Sequence, residues 1–300
     1  MAAVSDWTER HRPTSESHLE GNENQRQKIR KWLDDWKTGI PKNKAILLVG
    51  PPGVGKTTIA RAIAQDMGWN VIELNASDAR NAASIRKAAT KGATHRSLFF
   101  SPEENDKKTL ILIDEVDHLT GGLRSVSESR INDAIKVNLD NSDNVQLKGD
   151  TGGKAELLKL LAETKQPVIL ACNEVMGLWG KSSNWRSTRE RFQRLLVTIN
   201  FERASKEALR NIARRVLKAE SMDYDSDAIE AIVSNNPGDL RALVRDLQVI
   251  CSADINSIDK ETVLEYVQTG DRDVSVEVFP GLAKLYKSNT ALDAIKLGIS

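Results

Sequence analysis

The chain has 300 residues, 40% of them hydrophobic and 28% charged, and its 43 basic and 42 acidic side chains leave a formal net charge of +1. The length suits about two domains of ~150 residues, the composition is that of a soluble globular protein without gross bias, and no global field points to nucleic acid, so any basic surface has to be local. No apolar run approaches the ~20 residues that cross a bilayer, the start lacks a signal-peptide apolar region, and Cys172 and Cys251 sit in apolar stretches without metal-type spacing, as small buried side chains of a reducing compartment do.

In chain order, short apolar runs alternate with helical patterns over the first ~200 residues, which predicts a parallel sheet covered by helices. Strands are expected at Ala45–Val49, Asn70–Leu74, Thr109–Ile113, Pro167–Cys172 and Leu196–Phe201, and helices at Lys56–Met67, Ala79–Lys91 and Ala155–Glu163. Ahead of the first strand, Trp32, Leu33 and Trp36 read as helix packing. The polar stretch Gly121 to Gly149, with Asn141-Ser142-Asp143-Asn144 near its end, reads as an insertion that is helical around Ser127–Val137 and has a flexible tail. Trp179 and Trp185 flank a loop rich in Lys, Ser and Arg and carry no assignment.

After Phe201 the pattern turns to helices alone. Ser205 caps one that continues through Ala208 to Ala219, with Glu207 in its first turn. Ser226 opens a second, ended by Asn235-Asn236-Pro237-Gly238. Asp239 caps a third, whose Leu240, Leu243, Val244, Leu247 and Ile250 recur at helical spacing and leave Arg241 and Arg245 off the apolar stripe. A short helix follows Asp259, and another helical pattern runs from Pro280 to Leu297. The expected organisation is an α/β domain over 1–201, a helical domain over 202–270 and the start of a third region over 271–300.

Gly50-Pro51-Pro52-Gly53-Val54-Gly55-Lys56-Thr57 satisfies G-x-x-x-x-G-K-[ST] between an apolar strand and a helix, the context that makes the pattern specific. Glycines let the backbone curl so that several N–H groups converge on phosphate oxygens, and the helix N-terminus adds a favourable dipole. Lys56 is expected to bridge the β- and γ-phosphates of ATP and Thr57 to hold Mg²⁺ through its hydroxyl, with Thr58 beside it in the binding set. The run Leu110 to Asp117 then ends an apolar strand in carboxylates: Asp114 beside the metal, and Glu115 to polarise a water for in-line attack on the γ-phosphate. Either motif alone has an ordinary reading, a glycine-rich turn or a helix cap; together they point to hydrolysis. Asn173, at the end of Val168–Cys172, would alone be a turn residue. Adjacent strand ends of an α/β sheet share one crevice, so it is expected to hydrogen-bond the attacking water or the γ-phosphate.

Further stretches stand in order around the phosphate loop: Trp7-Thr8-Glu9-Arg10-His11-Arg12-Pro13, Glu73-Leu74-Asn75-Ala76-Ser77-Asp78, Asp114-Glu115-Val116-Asp117, Gly152-Gly153 with Glu156-Leu157 and Thr164-Lys165, and Gly238-Asp239-Leu240-Arg241. Together they resemble the AAA+ clamp-loader family, specifically the replication factor C large subunits of the archaeal kind, over nearly the whole chain. The resemblance implies an AAA+ ATPase fold with a helical lid, and ATP and Mg²⁺ as cofactors. It implies that Arg12 and Pro13 help enclose the adenine, although Arg10 and His11 depart from the family's box W-x-E-K-Y-R-P. It also implies that Arg241 reaches the nucleotide from the helical domain as a second sensor. Asp271-Arg272-Asp273 resembles the entrance to the family's oligomerisation collar, of which little follows, so the chain reads as a fragment or an unusually short form.

Small subunits of this family carry a Ser-Arg-Cys motif whose arginine enters the neighbouring subunit's site. Counting back from Phe201, the matching positions are Arg194, Leu195 and Leu196, which puts Leu195 at the finger position, as in a large subunit. The resemblance then implies that the site depends on a finger from an adjoining small subunit, worth roughly 10³–10⁵ in turnover. A slip in the count would instead make Arg189, Arg191 or Arg194 a finger.

The helix after Ser77 carries Arg80, Arg86, Lys87 and Lys91, which alone would be a solvated face. By the resemblance it tracks the backbone of primer–template DNA, giving affinity without sequence reading. Leu98-Phe99-Phe100 reads as a loop anchor on the core or, by the resemblance, as the anchor that binds a sliding clamp; Arg96 stands where an aliphatic residue would be expected. The function so implied is that of a clamp-loader ATPase working with small subunits, away from membranes, in the cytoplasm of an archaeal-type cell or the nucleus of a eukaryotic one. Two rivals stand beside it: another AAA+ ATPase of DNA repair or branch migration, which as a homohexamer needs its own finger, and an ATP-binding scaffold with little hydrolysis.

Overall fold

The computed structural model describes residues 6–76, 81–87, 108–119, 122–140, 151–180, 183–252 and 257–269. Arg80, Lys91, Leu98, Phe99, Phe100 and the expected collar segment lie outside the described residues. The chain divides into two compact units, Met1–Leu209 with Gly238–Ala242, and Arg210–Pro237 with Leu243–Ser300.

In the first unit, strands β1 (Ala45–Val49), β2 (Asn70–Asn75), β3 (Thr109–Asp114), β4 (Val168–Cys172) and β5 (Leu196–Asn200) form one sheet in the order β2-β3-β4-β1-β5, parallel throughout. The helices are α1 (Trp7–Arg10), α2 (Glu23–Thr38), α3 (Lys56–Asp66), α4 (residues 82–87), α5 (Glu128–Asp140), α6 (Gly153–Glu163), α7 (Val175–Trp179), α8 (Trp185–Gln193) and the start of α9 (Lys206–Ala219). Central strands β1, β3 and β4 are apolar at nearly every position because both faces are covered. Their period of two divides the residues between two cores. Ile46, Leu48, Leu110, Leu112 and Ile169 pack with Ile29, Leu33 and Trp36 of α2 and Ile59 and Ile63 of α3. Leu47, Ile111, Ile113, Leu170 and Cys172 pack with Leu157 and Leu161 of α6, Trp179 of α7 and Phe192 of α8. The α/β architecture is therefore the expected one, with strand ends within one residue of expectation. Trp32 and Trp36 are buried as helix packing, their rings edge to face at 6.1 Å. Helices α7 and α8 were not expected; they use Trp179 and, in part, Trp185 as core contacts.

The insertion contains α5, whose Ile131 and Ala134 bury against Ala82 and Ala83 of α4. An ion-pair cluster fastens the same helices. Arg86 donates from Nε and Nη2 to the two carboxylate oxygens of Glu156 on α6, at 2.6 and 2.8 Å, and pairs through Nη1 with Glu128 at the start of α5. Lys159 donates to the other Glu128 oxygen at 2.7 Å. Arg86, then Lys159, hold the Glu128 carboxyl down to about 2. This alters the expectation for Arg86. Its side chain is only 16% exposed and its guanidinium is committed to two carboxylates instead of being presented as a free cation. Arg86→Ala is expected to destabilise the fold by about 2–4 kcal/mol, because Glu156 loses its partner in a largely buried place. Denaturant titration checks this; an unchanged midpoint would show the cluster to be mere surface charge.

In the second unit, α10 (Ser226–Asn235), the body of α11 (Leu240–Cys251) and α12 (Lys260–Thr269) enclose Ile229, Ile232, Val233, Leu243, Leu247, Ile250 and Val263, all buried. A short parallel pair, β6 (Asp223–Tyr224) with β7 (Ser257–Ile258), accompanies them. Asp259 caps α12 by accepting the Thr262 N–H at 2.8 Å, and Arg210 pairs with Glu230 through bonds of 2.5 and 2.9 Å.

Candidate active site

β3, β4 and β1 are neighbours, so their carboxyl ends bring three motifs together. Val49 lies opposite Cys172 and Ile113 opposite Leu170. The phosphate loop therefore leaves the sheet beside Asn173, and Gly50 donates its N–H to the Cys172 carbonyl at 3.3 Å. Asp114 ends β3 on the far side of β4.

The loop is held from two directions. Gly53 has φ +73°, and a side chain there would strike the Asp239 carboxylate, so only glycine satisfies both the conformation and the space. Leu240 donates its N–H to the Gly53 carbonyl at 3.0 Å. Residues 238–242 thus belong to the same unit as the loop, and Arg241, exposed, is near enough for its charge to oppose protonation of Lys56. Asp239 also caps the first turn of α11 as expected, accepting the Ala242 N–H at 2.8 Å.

Lys56, 7% exposed at the start of α3, donates from Nζ to Gly50 O at 2.7 Å, Pro51 O at 2.9 Å and Asn173 Oδ1 at 2.9 Å. Burial lowers its pKa more than Asp114 and other nearby acids raise it. Thr57 and Val54 are buried, Gly55, Thr58 and Pro51 partly so, and Pro52 is exposed. Burial likewise raises the Asp114 carboxyl, against the opposing pull of the Glu115 N–H, at 2.8 Å, and of Lys56. One dehydrated environment thus pushes a cation and an anion toward neutrality. A phosphate beside Lys56 and a divalent cation beside Asp114 would each restore the charged form. The Thr57 hydroxyl and the Asp114 carboxylate are hard oxygen donors, and Mg²⁺ typically takes only one or two protein groups together with phosphates and water. The residues present fit both groups.

Glu115 adopts φ +55°, a left-handed conformation uncommon outside glycine. The Asp114 side chain stabilises it by accepting the Glu115 N–H. Its carboxylate is partly exposed, with Oε2 3.5 Å from Nδ1 of His118. Strained backbone of this kind clusters at functional sites.

Arg12 lies 3.5 Å from Glu9 and 3.7 Å from Glu73 of β2, with Pro13 partly buried beside it. Leu195 packs against the core, while Arg189, Arg191 and Arg194 are exposed. Lys87 is partly buried. Burial pushes the Cys172 thiol up to about 12 and the Cys251 thiol up to about 11; Cys172 is buried as expected, Cys251 only partly so. Asp117, Gly177 and Lys154 carry no expectation from the sequence, although Asp117 belongs to the acidic run.

A parallel five-stranded sheet with a glycine-rich loop between β1 and α3, and an acidic strand end next but one to it, defines a P-loop nucleoside triphosphatase fold. The chain belongs to the AAA family, the ATPase family associated with various cellular activities, whose model matches residues 46–197. It is 30% identical over 296 residues to the replication factor C large subunit of Methanosarcina mazei, covering 99% of this chain and 41% of that protein. With the replication factor C large subunit of Halobacterium salinarum it shares 32% identity over 292 residues, 97% of this chain and 52% of the relative. The chain thus spans about half or less of the length of these relatives. Among solved structures, the RuvB Holliday junction branch migration motor of Thermotoga maritima has the same fold, with TM-score 0.61 over 97% of this chain and 86% of that one, at 19% identity.

Proposed function

We propose that the chain is the ATPase portion of a clamp-loader large subunit, which with small subunits opens a sliding clamp and places it on primer–template DNA. The observation that carries this reading is a complete set of Lys56, Thr57, Asp114, Glu115 and Asn173 at neighbouring strand ends, in a chain similar over 99% of its length to a replication factor C large subunit. Gly50, Pro51, Pro52, Gly53, Val54, Gly55, Lys56, Thr57 and Thr58 bind the ATP phosphates, and Arg12 and Pro13 border the base. Thr57 and Asp114 would hold Mg²⁺, which when bound neutralises charge on the phosphate oxygens. Glu115 accepts a proton from the attacking water. Asn173 and Arg241 report the γ-phosphate, the difference between ATP and ADP that switches such proteins.

The core packing of Leu195 supports a site completed by a neighbouring subunit's arginine. Lys87, with Arg80 and Lys91, is assigned to the DNA backbone, and Leu98, Phe99 and Phe100 to the clamp. The division into an ATPase domain to residue 201, a lid over 202–270 and the beginning of a collar over 271–300 belongs to the same proposal, as does a cytoplasmic location. Among the described residues, no helix is long and apolar enough to cross a membrane.

The test is steady-state ATP hydrolysis by the chain alone, with clamp-loader small subunits, and then with clamp and primed DNA added. Strong stimulation is expected only with the full set. Stimulation by branched DNA without clamp would point to a branch-migration motor, and nucleotide binding without hydrolysis in any mixture would point to a scaffold.

A further inference from the structure

The acidic run holds one more carboxylate, to which neither phosphate binding nor the metal gives a task. Asp117 lies in the 3₁₀ turn Val116–His118 that follows Glu115. Its Oδ2 accepts the backbone N–H groups of Asn173 at 3.0 Å and Glu174 at 3.2 Å, the two residues by which the chain leaves β4. Its Oδ1 is buried and has no hydrogen-bond partner among the described residues. A buried, unpartnered carboxylate oxygen is destabilising, so the contacts of Oδ2 have to matter.

The rest of the turn is fastened to the same place. A Cβ at Gly177 would overlap the Asp117 carbonyl oxygen and stand 2.7 Å from its Cβ and 2.9 Å from its Cα. Lys154, 3% exposed at the start of α6, donates from Nζ to the Gly177 carbonyl at 3.3 Å. A carboxylate that merely capped α7 would take the N–H groups of the helix's second or third residue, Met176 or Gly177. Asp117 instead takes the N–H of Asn173 itself, whose side-chain Oδ1 accepts Lys56 Nζ at 2.9 Å. An asparagine amide has two side-chain torsions, so its direction follows the backbone that carries it, and hydrogen bonds to an ionised acceptor are about twice as strong as neutral ones.

We infer that Asp117 is a positioning residue for Asn173, fixing the end of β4 so that the Asn173 amide meets Lys56 and the γ-phosphate of bound nucleotide. The inference rests on the proposed role of Asn173 as γ-phosphate sensor. Asp117 touches neither nucleotide nor metal in this role; it acts through the two N–H groups alone.

The experiment titrates the full chain, with Mg²⁺, against fluorescent analogues of ADP and of ATPγS, and reads the ratio of their dissociation constants. Asn173→Ala is expected to lower the preference for the triphosphate by roughly tenfold, as losing one hydrogen bond to a charged group does. Asp117→Ala is expected to lower it by a similar factor, with ADP affinity within about twofold of the parent. The double variant should be no worse than Asn173→Ala, because the two effects travel through one side chain. Asp117→Asn, which keeps an acceptor of the same shape, should fall between Asp117→Ala and the parent. If circular dichroism shows Asp117→Ala unfolded, Asp117→Asn carries the same comparisons at smaller amplitude. A parental ratio in the foldable Asp117 variant, or losses that multiply in the double variant, overturns the inference while the sensor reading stands. A parental ratio in Asn173→Ala, or a parent without preference, sinks the sensor reading and this inference with it.

Discussion

Replacing Glu115 with glutamine should leave ATP affinity within about threefold of the parent and slow its turnover by roughly 10²–10⁴, the usual worth of a positioned general base. The substitution keeps size and polarity, so the left-handed turn held by Asp114 survives, because that contact uses the Glu115 backbone N–H and not its carboxylate. The charge removed is one that raises the neighbouring Asp114 carboxyl. Its loss favours ionised Asp114 and so leaves the proposed metal ligand intact. Binding and hydrolysis are thereby separated within one side chain. Single-turnover hydrolysis, with affinity measured independently, reads both. Parental turnover would remove Glu115 from the chemistry, and a parallel collapse of affinity would make its role structural. With clamp-loader small subunits present the loss should persist, since a neighbour's arginine stabilises charge but accepts no proton.

What could be seen in the sequence follows the range of each interaction. Strands β1, β3 and β4 were legible because both faces are buried, which writes continuous apolar runs. The phosphate loop was legible because its geometry is local: glycines, a lysine and a threonine at fixed spacing between strand and helix. Asp239 and Ser205 were recognisable as caps, for their acceptors reach N–H groups three residues on. The fate of Arg86 was not legible, because its carboxylates stand 42 and 70 positions away and nothing local distinguishes a paired arginine from a solvated one. The same holds for Asp117, which meets Asn173 across 56 positions. Helices α7 and α8 escaped because the first is a five-residue turn and the second breaks its apolar pattern with arginines. The approach of Asp239 to Gly53 left one trace, a glycine where only glycine fits, but not what it makes room for.

Lys56→Met is the substitution expected to cost most nucleotide affinity, on the order of 100-fold for ATP, because it removes a cation whose hydrogen bonds to phosphate are charge-assisted. Its effect on stability should be small and pH-dependent. The folded pKa of Lys56 lies below its ordinary value, chiefly through burial, so the unfolded chain binds that proton more tightly. Below the folded pKa both states are charged and the burial penalty is fully present. As pH rises from the folded toward the unfolded pKa the penalty is relieved and stability increases. Methionine carries no such penalty but gives up the bonds to Gly50, Pro51 and Asn173, and the two effects oppose each other. The unliganded variant is therefore expected to melt within about 3 °C of the parent near pH 7 and to lack the alkaline gain. With ADP at 100 times its dissociation constant the parent gains about 2.7 kcal/mol, an upward shift of roughly 4 °C for a chain of this size, which the variant should lose at the same concentration. Thermal melts at two pH values, with and without ADP and Mg²⁺, read all of this. A variant that keeps the nucleotide-dependent shift would show that the loop's N–H groups suffice for binding and that Lys56 spends its burial on the fold alone.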